Sequence, residues 1–418
     1  MEQLVSQLEV EDGKLVINFF ERIYNPIFDQ WGGVASEDGF TIPTYFFLLL
    51  KSLKIRKLEM WNSLDDMDGM KIFLSDNLML EKLHLSLPGN YSIEYFHSLS
   101  TGLQRCPNLH RLHLDSLEDD GPDAERLNLI FLSLRFHNSI SELYLKGFQI
   151  TKVSLSNFKE LLLSDKLTKL GLPQCGIDDE IINMMILVFE HISNLKFLNL
   201  YSPVTWRDGI FNSLVNSIMY NLDLKDLKLD ADHRIDIDLL IELIMKTNLH
   251  SFSINCATLE LEGLKRFLSI AGKKLRSLEL PSSGYMYNSK IRTVINQFLI
   301  NESELRSLTL IEENDSKFKD DHLSLGMEMN GYLLDFSVSD GYGNYNHYDN
   351  KFLERNRNLF EFVNYMSMLL IAIRKFRRSA LNLLQKDIVK LIALEIWRSR
   401  GKIDIWEKAL ICGKRLRN

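Results

Sequence analysis

The chain has 418 residues, 49 Lys/Arg against 56 Asp/Glu, and a net charge of −7, with 45% hydrophobic and 25% charged residues. That is the composition of a folded protein, and it argues against disordered, fibrous and strongly basic nucleic-acid-binding classes. Four scattered cysteines (Cys106, Cys175, Cys256, Cys412) with no CxxC pair argue against a disulfide scaffold or a cysteine-built metal site, and fit a reducing compartment.

The opening MEQLVSQLEVEDGK is acidic and lacks the apolar core of a secretory signal. The runs Tyr45–Leu50 and Met366–Ile373 are too short to span a bilayer, so a soluble chain is expected. Residues 1–52, with Leu15–Trp31 apolar and aromatic, read as a helical N-terminal cap.

From Ile55 a unit recurs. Its starts fall at Ile55, Leu80, Leu109, Ile140, Leu167, Leu195, Leu224, Leu249, Leu275, Leu305 and Leu333, a period of about 28 residues. Positions 1, 4 and 6 of each unit are apolar, as in Leu80/Leu83/Leu85, Leu109/Leu112/Leu114 and Leu167/Leu170/Leu172. The 15–20 residues between strands carry helical spacing, as in Ile93, Phe96, Leu99 and Leu103. Asp178 is placed to cap the helix bearing Ile181, Ile182, Met185, Ile186 and Phe189. One strand–helix pair cannot bury its apolar side alone, but a stack of them can.

A short strand, a turn and an amphipathic helix at this period resemble a leucine-rich repeat, and LxxCGIDDE (Leu172–Glu180) is similar to the ribonuclease-inhibitor-like class. The resemblance implies an α/β leucine-rich-repeat solenoid (horseshoe), with parallel strands on the concave face and helices on the convex face, plus helical caps. About eleven units fill residues 53–358. The Asn or Cys expected at position 9 occurs only as Cys175, so the turn hydrogen-bond ladder is expected to be irregular.

Strand side chains alternate, so positions 4 and 6 face the core and positions 3, 5 and 7 face solvent. The exposed set supplies the candidate partner-binding residues Trp61, His84, Arg111, His113, Tyr144, Phe197, Tyr201, Asp226 and Asp230. Aromatic and arginine side chains are what hot spots are made of. Lys57, Lys82, His84 and His113 make the first part of this face basic, and Asp226 and Asp230 make a later part acidic. His84 and His113 share it without an evident third ligand, so no metal is expected.

Asp340–Asn350 reads as a long exposed turn. FLERNR (Phe352–Arg357) is similar to the closing segment of leucine-rich-repeat effectors of Legionella, which implies a bacterial protein delivered into a host cell. Residues 359–418 lose the repeat, carry 13 Lys/Arg against 5 Asp/Glu and read as helices. Within them Leu384, Ile388 and Ile392 partly resemble an F-box opening helix, with Gln385 in place of its proline. The alternatives for this segment are a terminal cap that shields the last repeat, or a basic helix lying on anionic membrane or nucleic acid.

No GxSxG, HExxH or P-loop motif is present, and the acidic stretch Asp230–Asp238 lacks the Gly and closing Glu of an EF-hand loop. The reading is a non-enzymatic scaffold, with no cofactor, that binds another protein. The alternatives are a ubiquitin-ligase substrate adaptor and a small-GTPase regulator, for which Asn199 and Asn255 would be available.

Overall fold

The computed structural model describes residues 14–18, 35–36, 39–40, 55–61, 67–87, 92–116, 124–201, 209–231, 235–256, 260–281, 289–301, 304–311, 327, 330, 332–339, 345–347, 353–358 and 360. The chain forms two compact units, Met1–Leu249 and His250–Asn418.

Every expected repeat start leads into a strand that begins at position 3. In the first unit these are β2 (Lys57–Trp61), β3 (Lys82–Leu87), β4 (Arg111–Ser116), β5 (Glu142–Lys146), β6 (Lys169–Gly171), β7 (Phe197–Leu200) and β8 (Asp226–Ala231). They follow β1 (Lys14–Asn18), and each pairs in parallel with the next. Register is constant: Leu83 stands beside Leu112, Leu112 beside Leu143 and Leu143 beside Leu170. In the second unit β9 (Ser251–Cys256), β10 (Ser277–Pro281), β11 (Ser307–Ile311) and β12 (Asp335–Ser339) repeat the parallel pattern. Here the chain then turns back, and β13 (Tyr345–His347) pairs antiparallel with the end of β12. Part of the expected exposed turn is therefore strand.

The backbone alignment has a single device repeated along each unit. The carbonyl of the residue at position 2 accepts the N–H groups of positions 2 and 3 of the following repeat. Arg56 serves Glu81 and Lys82, Glu81 serves His110 and Arg111, and His110 serves Ser141 and Glu142. The same bonds join His250, Arg276 and Arg306 in the second unit. Each coil thus fixes the register of the next before any side chain is considered.

The leucines at positions 1, 4 and 6 are buried throughout, among them Leu80, Leu83, Leu85, Leu109, Leu112 and Leu114. Burial of each contributes about 1.5–3 kcal/mol. Helices between the strands press a second apolar layer onto them. The helix Ile93–Gln104 is capped by Ser92, whose hydroxyl accepts from the Tyr95 N–H, and it buries Phe96, Leu99 and Leu103. Asp178 caps Asp179–Phe189 as expected, accepting from Ile181 N at 2.9 Å. That helix buries Ile181, Ile182, Met185 and Phe189, with Met184 and Val188 completing its inner face. Parallel strands joined by helices, in constant register around leucine layers, are the leucine-rich-repeat solenoid.

Two expectations are corrected. The stretch beginning at Leu15 was expected to be helical, but Lys14–Asn18 is a strand paired with Lys57–Trp61. Its β-branched Val16 and Ile17 suit extended backbone, and an open edge of the sheet offers unsatisfied N–H and C=O groups for such a segment to cover. Position 7, expected to face solvent, is closed in part: Ser86, Asp115 and Asp230 are buried, whereas Lys146, Tyr201 and Asn255 stay partly exposed. Side chains on neighbouring strands stand close enough to cover one another.

Among the described residues, turn hydrogen bonding at position 9 is seen in the region of Cys175, where Gln149–Ile150 pairs with Gly176–Ile177 and the Cys175 thiol donates to the Leu145 carbonyl at 3.3 Å. A different ladder runs three residues before position 1. The Cys106 thiol lies 3.8 and 3.9 Å from the carbonyls of Asn77 and Leu80, and His137 Nε2 lies 2.7 Å from the Cys106 carbonyl. Burial pushes the thiols of Cys106 and Cys175 up to about 12, so neither behaves as a nucleophile at neutral pH.

No helix among the described residues is long and apolar enough to cross a membrane.

Candidate binding face

Strands β2 to β8 present three rows of side chains on the sheet surface, set by the register. The position-3 row runs Lys57, Lys82, Arg111, Glu142, Lys169, Phe197 and Asp226. Its first three members are cations in direct cross-strand succession, an arrangement that costs free energy when nothing intervenes. Burial, and then the charges of Arg111 and Lys57, hold the Lys82 ammonium below the usual lysine range. The series ends at Glu142, which pairs with Arg111 on one side and with Lys169 at 3.1 Å on the other. Burial opposes ionisation of the Glu142 carboxyl, but bonds from Arg111 and Lys169 outweigh it and hold the group below the usual carboxylate range.

The position-5 row is the more organised. His84 and His113, adjacent in register, stack with ring centroids 3.9 Å apart and planes within 1°. His113 meets the Tyr144 ring edge-on at 4.4 Å. Tyr144 lies across the next strand because Gly171 has no side chain there; a methyl group on Gly171 would overlap the tyrosine ring. The phenol then reaches the strand beyond, where Asn199 Nδ2 donates to it at 3.3 Å. Asn199 Oδ1 accepts from the Tyr201 N–H at 2.9 Å. Side chains of four strands are thereby tied together across a span of five. Substituting Gly171 by Ala is expected to cost about 1–3 kcal/mol, the range for overpacking, with Tyr144 displaced; the denaturation midpoint and tyrosine fluorescence check it.

Below His84 and His113 stands Asp115. Its Oδ2 lies 3.0 Å from His84 Nε2 and its Oδ1 2.8 Å from His113 Nε2. Burial works against the charged form of Asp115, but hydrogen bonds and charge from His113 and then His84 prevail, holding its carboxyl well below the ordinary range.

The structure brings together four of the sequence-derived candidates, His84, Arg111, His113 and Tyr144, each partly exposed. Phe197 and Tyr201 continue the same face, also half-buried, and Asp226 stands beside Phe197 in register. Trp61 ends β2 opposite Ser86 in register; its side chain lies outside the described residues. Asp230 is a correction, since at 5% exposure it does not face a partner. The absence of a third ligand for the two histidines is a second correction: Asp115 is that group. Its signal was a His-x-Asp pair on β4 with His84 one repeat earlier, visible once register is fixed. Asn199 is also not aimed outward, being buried and bonded to Tyr144 and Tyr201. Leu384, Ile388 and Ile392 lie outside the described residues.

The fold defines the class: a leucine-rich-repeat solenoid. No family model matches the chain, and no curated protein does. Among solved structures, the chain is similar to one in the crystal structure of the Rad7 and Elc1 complex of yeast, with 17% identity, a TM-score of 0.44, and coverage of 76% of this chain and 86% of that one.

Proposed function

We propose that this protein is a non-enzymatic scaffold that binds another protein through the strand face of its first unit. One observation carries the reading. Lys57, Lys82 and Arg111 stand in successive register, and the Lys82 ammonium is destabilised by burial and then by the charges of its two neighbours. A partner that brings carboxylates to this row relieves the repulsion, so the face selects an acidic surface. Tyr144, Phe197 and Tyr201 then supply apolar contact beside it. The resemblance of FLERNR to the ending of Legionella effectors extends the proposal to a host-cell partner.

The test compares capture from host-cell lysate by the wild-type chain, by a Lys57→Glu/Lys82→Glu variant, and by Lys159→Glu, which alters an exposed lysine on a helix instead. Reversing the row is expected to weaken a specific partner by about tenfold or more, chiefly in its association rate and with a steep salt dependence, while Lys159→Glu changes nothing. Identical profiles for all three would remove this face from consideration. Ubiquitin-ligase subunits retained by the row variant would favour the adaptor reading, which places recruitment at Leu384, Ile388 and Ile392 instead.

A further inference from the structure

The geometry points to a divalent transition-metal site, of the zinc, nickel or copper class, formed by His84, His113 and Asp115 on strands β3 and β4. The proposal is independent of the partner-binding reading. Each residue offers one ligand atom, and these atoms all lie within 4.8 Å of one another. Three features of the fold bring the cluster together as a site.

First, register places the ligands. His84 and His113 are directly opposite on adjacent parallel strands, and Asp115 lies two residues along the same face from His113, beside Ser86. Two imidazoles and a carboxylate converge without any loop having to move. Second, the donor atoms are already gathered. The rings stack in parallel, with their Nε2 atoms 3.0 and 2.8 Å from one carboxylate. An ion held at about 2.0–2.2 Å by each donor requires the two rings to turn out of the parallel stack, because each Nε2 lone pair lies in its own ring plane. Third, the set is half enclosed. Side-chain exposure is 16% for His84, 28% for His113 and 12% for Asp115, which leaves a path from solvent and an open coordination position.

Donor chemistry selects the metal. Two imidazole nitrogens and one carboxylate oxygen suit zinc, nickel or copper, whereas magnesium and calcium prefer all-oxygen sets. Coordination uses the Nε2 lone pairs, with the imidazole protons on Nδ1, and it replaces the His84 Nε2···carboxylate hydrogen bond and the close His113 Nε2 contact with bonds to the ion. The T-shaped contact of Tyr144 with His113 supports one side of the stack.

The experiment uses the full chain, stripped with chelator and titrated with Zn2+ by calorimetry, then with Co2+ followed by its visible spectrum. The wild type is expected to bind one equivalent. The spectrum should show nitrogen and oxygen ligation without a thiolate charge-transfer band. His84→Ala/His113→Ala should lose affinity by more than the roughly 10- to 100-fold that removing a supporting second-shell group costs. Asp115→Asn, which retains volume and charge-neutral hydrogen bonding, should weaken binding while leaving circular dichroism unchanged. His191→Ala, at an exposed histidine on another surface, should bind like the wild type. No binding by the wild type, equal binding by Asp115→Asn, or a thiolate band assigning the ion to cysteine would each overturn the assignment.

Discussion

Alanine at Phe131 is expected to destabilise the first unit by about 3–5 kcal/mol, the range for removing a large aromatic side chain from a core. Phe131 is fully buried on the helix Ala124–Arg135 and stacks on Phe158 of the neighbouring helix Leu155–Leu163, with ring centroids 4.7 Å apart. The pair joins two successive repeats on the helical side, where no backbone ladder does so. Its loss therefore weakens an interface between coils as well as one core position. Solenoids respond to such damage locally, because each repeat touches only its neighbours. Urea denaturation followed by far-ultraviolet dichroism should show a lower midpoint. Hydrogen exchange should quicken first in the helices on either side of the substitution. An unchanged midpoint would mean that these repeats do not depend on each other through this contact.

The core was readable because its chemistry is local and periodic. Leucines at positions 1, 4 and 6 report their own burial, and every one of the eleven starts led into a strand two residues on. The binding face was readable only row by row. Alternation predicts which residues leave the core, but not what they meet, since that depends on neighbours about 28 residues away. Asp115 is the clearest case. Read along its own strand, it is an exposed position-7 acid; read across the register, it lies beneath two histidines. Gly171 sits at position 5 of β6, and its missing side chain is the slot that lets Tyr144 reach Asn199. Asp230 failed for the same reason as Asp115: crowding between adjacent strands buries what alternation exposes.

The ending of the array gives the second large effect. Asn356→Leu is expected to cost about 2–4 kcal/mol, counting two donors removed from a buried site at about 1–2 kcal/mol each. Asn356 is 1% exposed, and its Nδ2 donates to the carbonyls of Asn330 at 2.9 Å and Leu333 at 2.8 Å. Those carbonyls stand three residues before position 1 and at position 1 of the last repeat. In the first unit Cys106 addresses the same pair, at Asn77 and Leu80. Asn356 therefore supplies the next rung of the ladder after the strands have stopped, and the FLERNR segment closes the last coil by imitating another. Arg355 and Arg357 add bonds to the Asn330 and Leu334 carbonyls on either side. Leucine has the same branching and leaves no cavity, so lost stability reports the hydrogen-bonding group, the two Nδ2 donations together with the Oδ1 that accepts from Arg355. Hydrogen exchange at β12 should quicken while β3 and β4, in the other unit, keep their protection. Equal protection at β12 in wild type and variant would show that the closing segment is held by its buried Leu353 and not by this ladder.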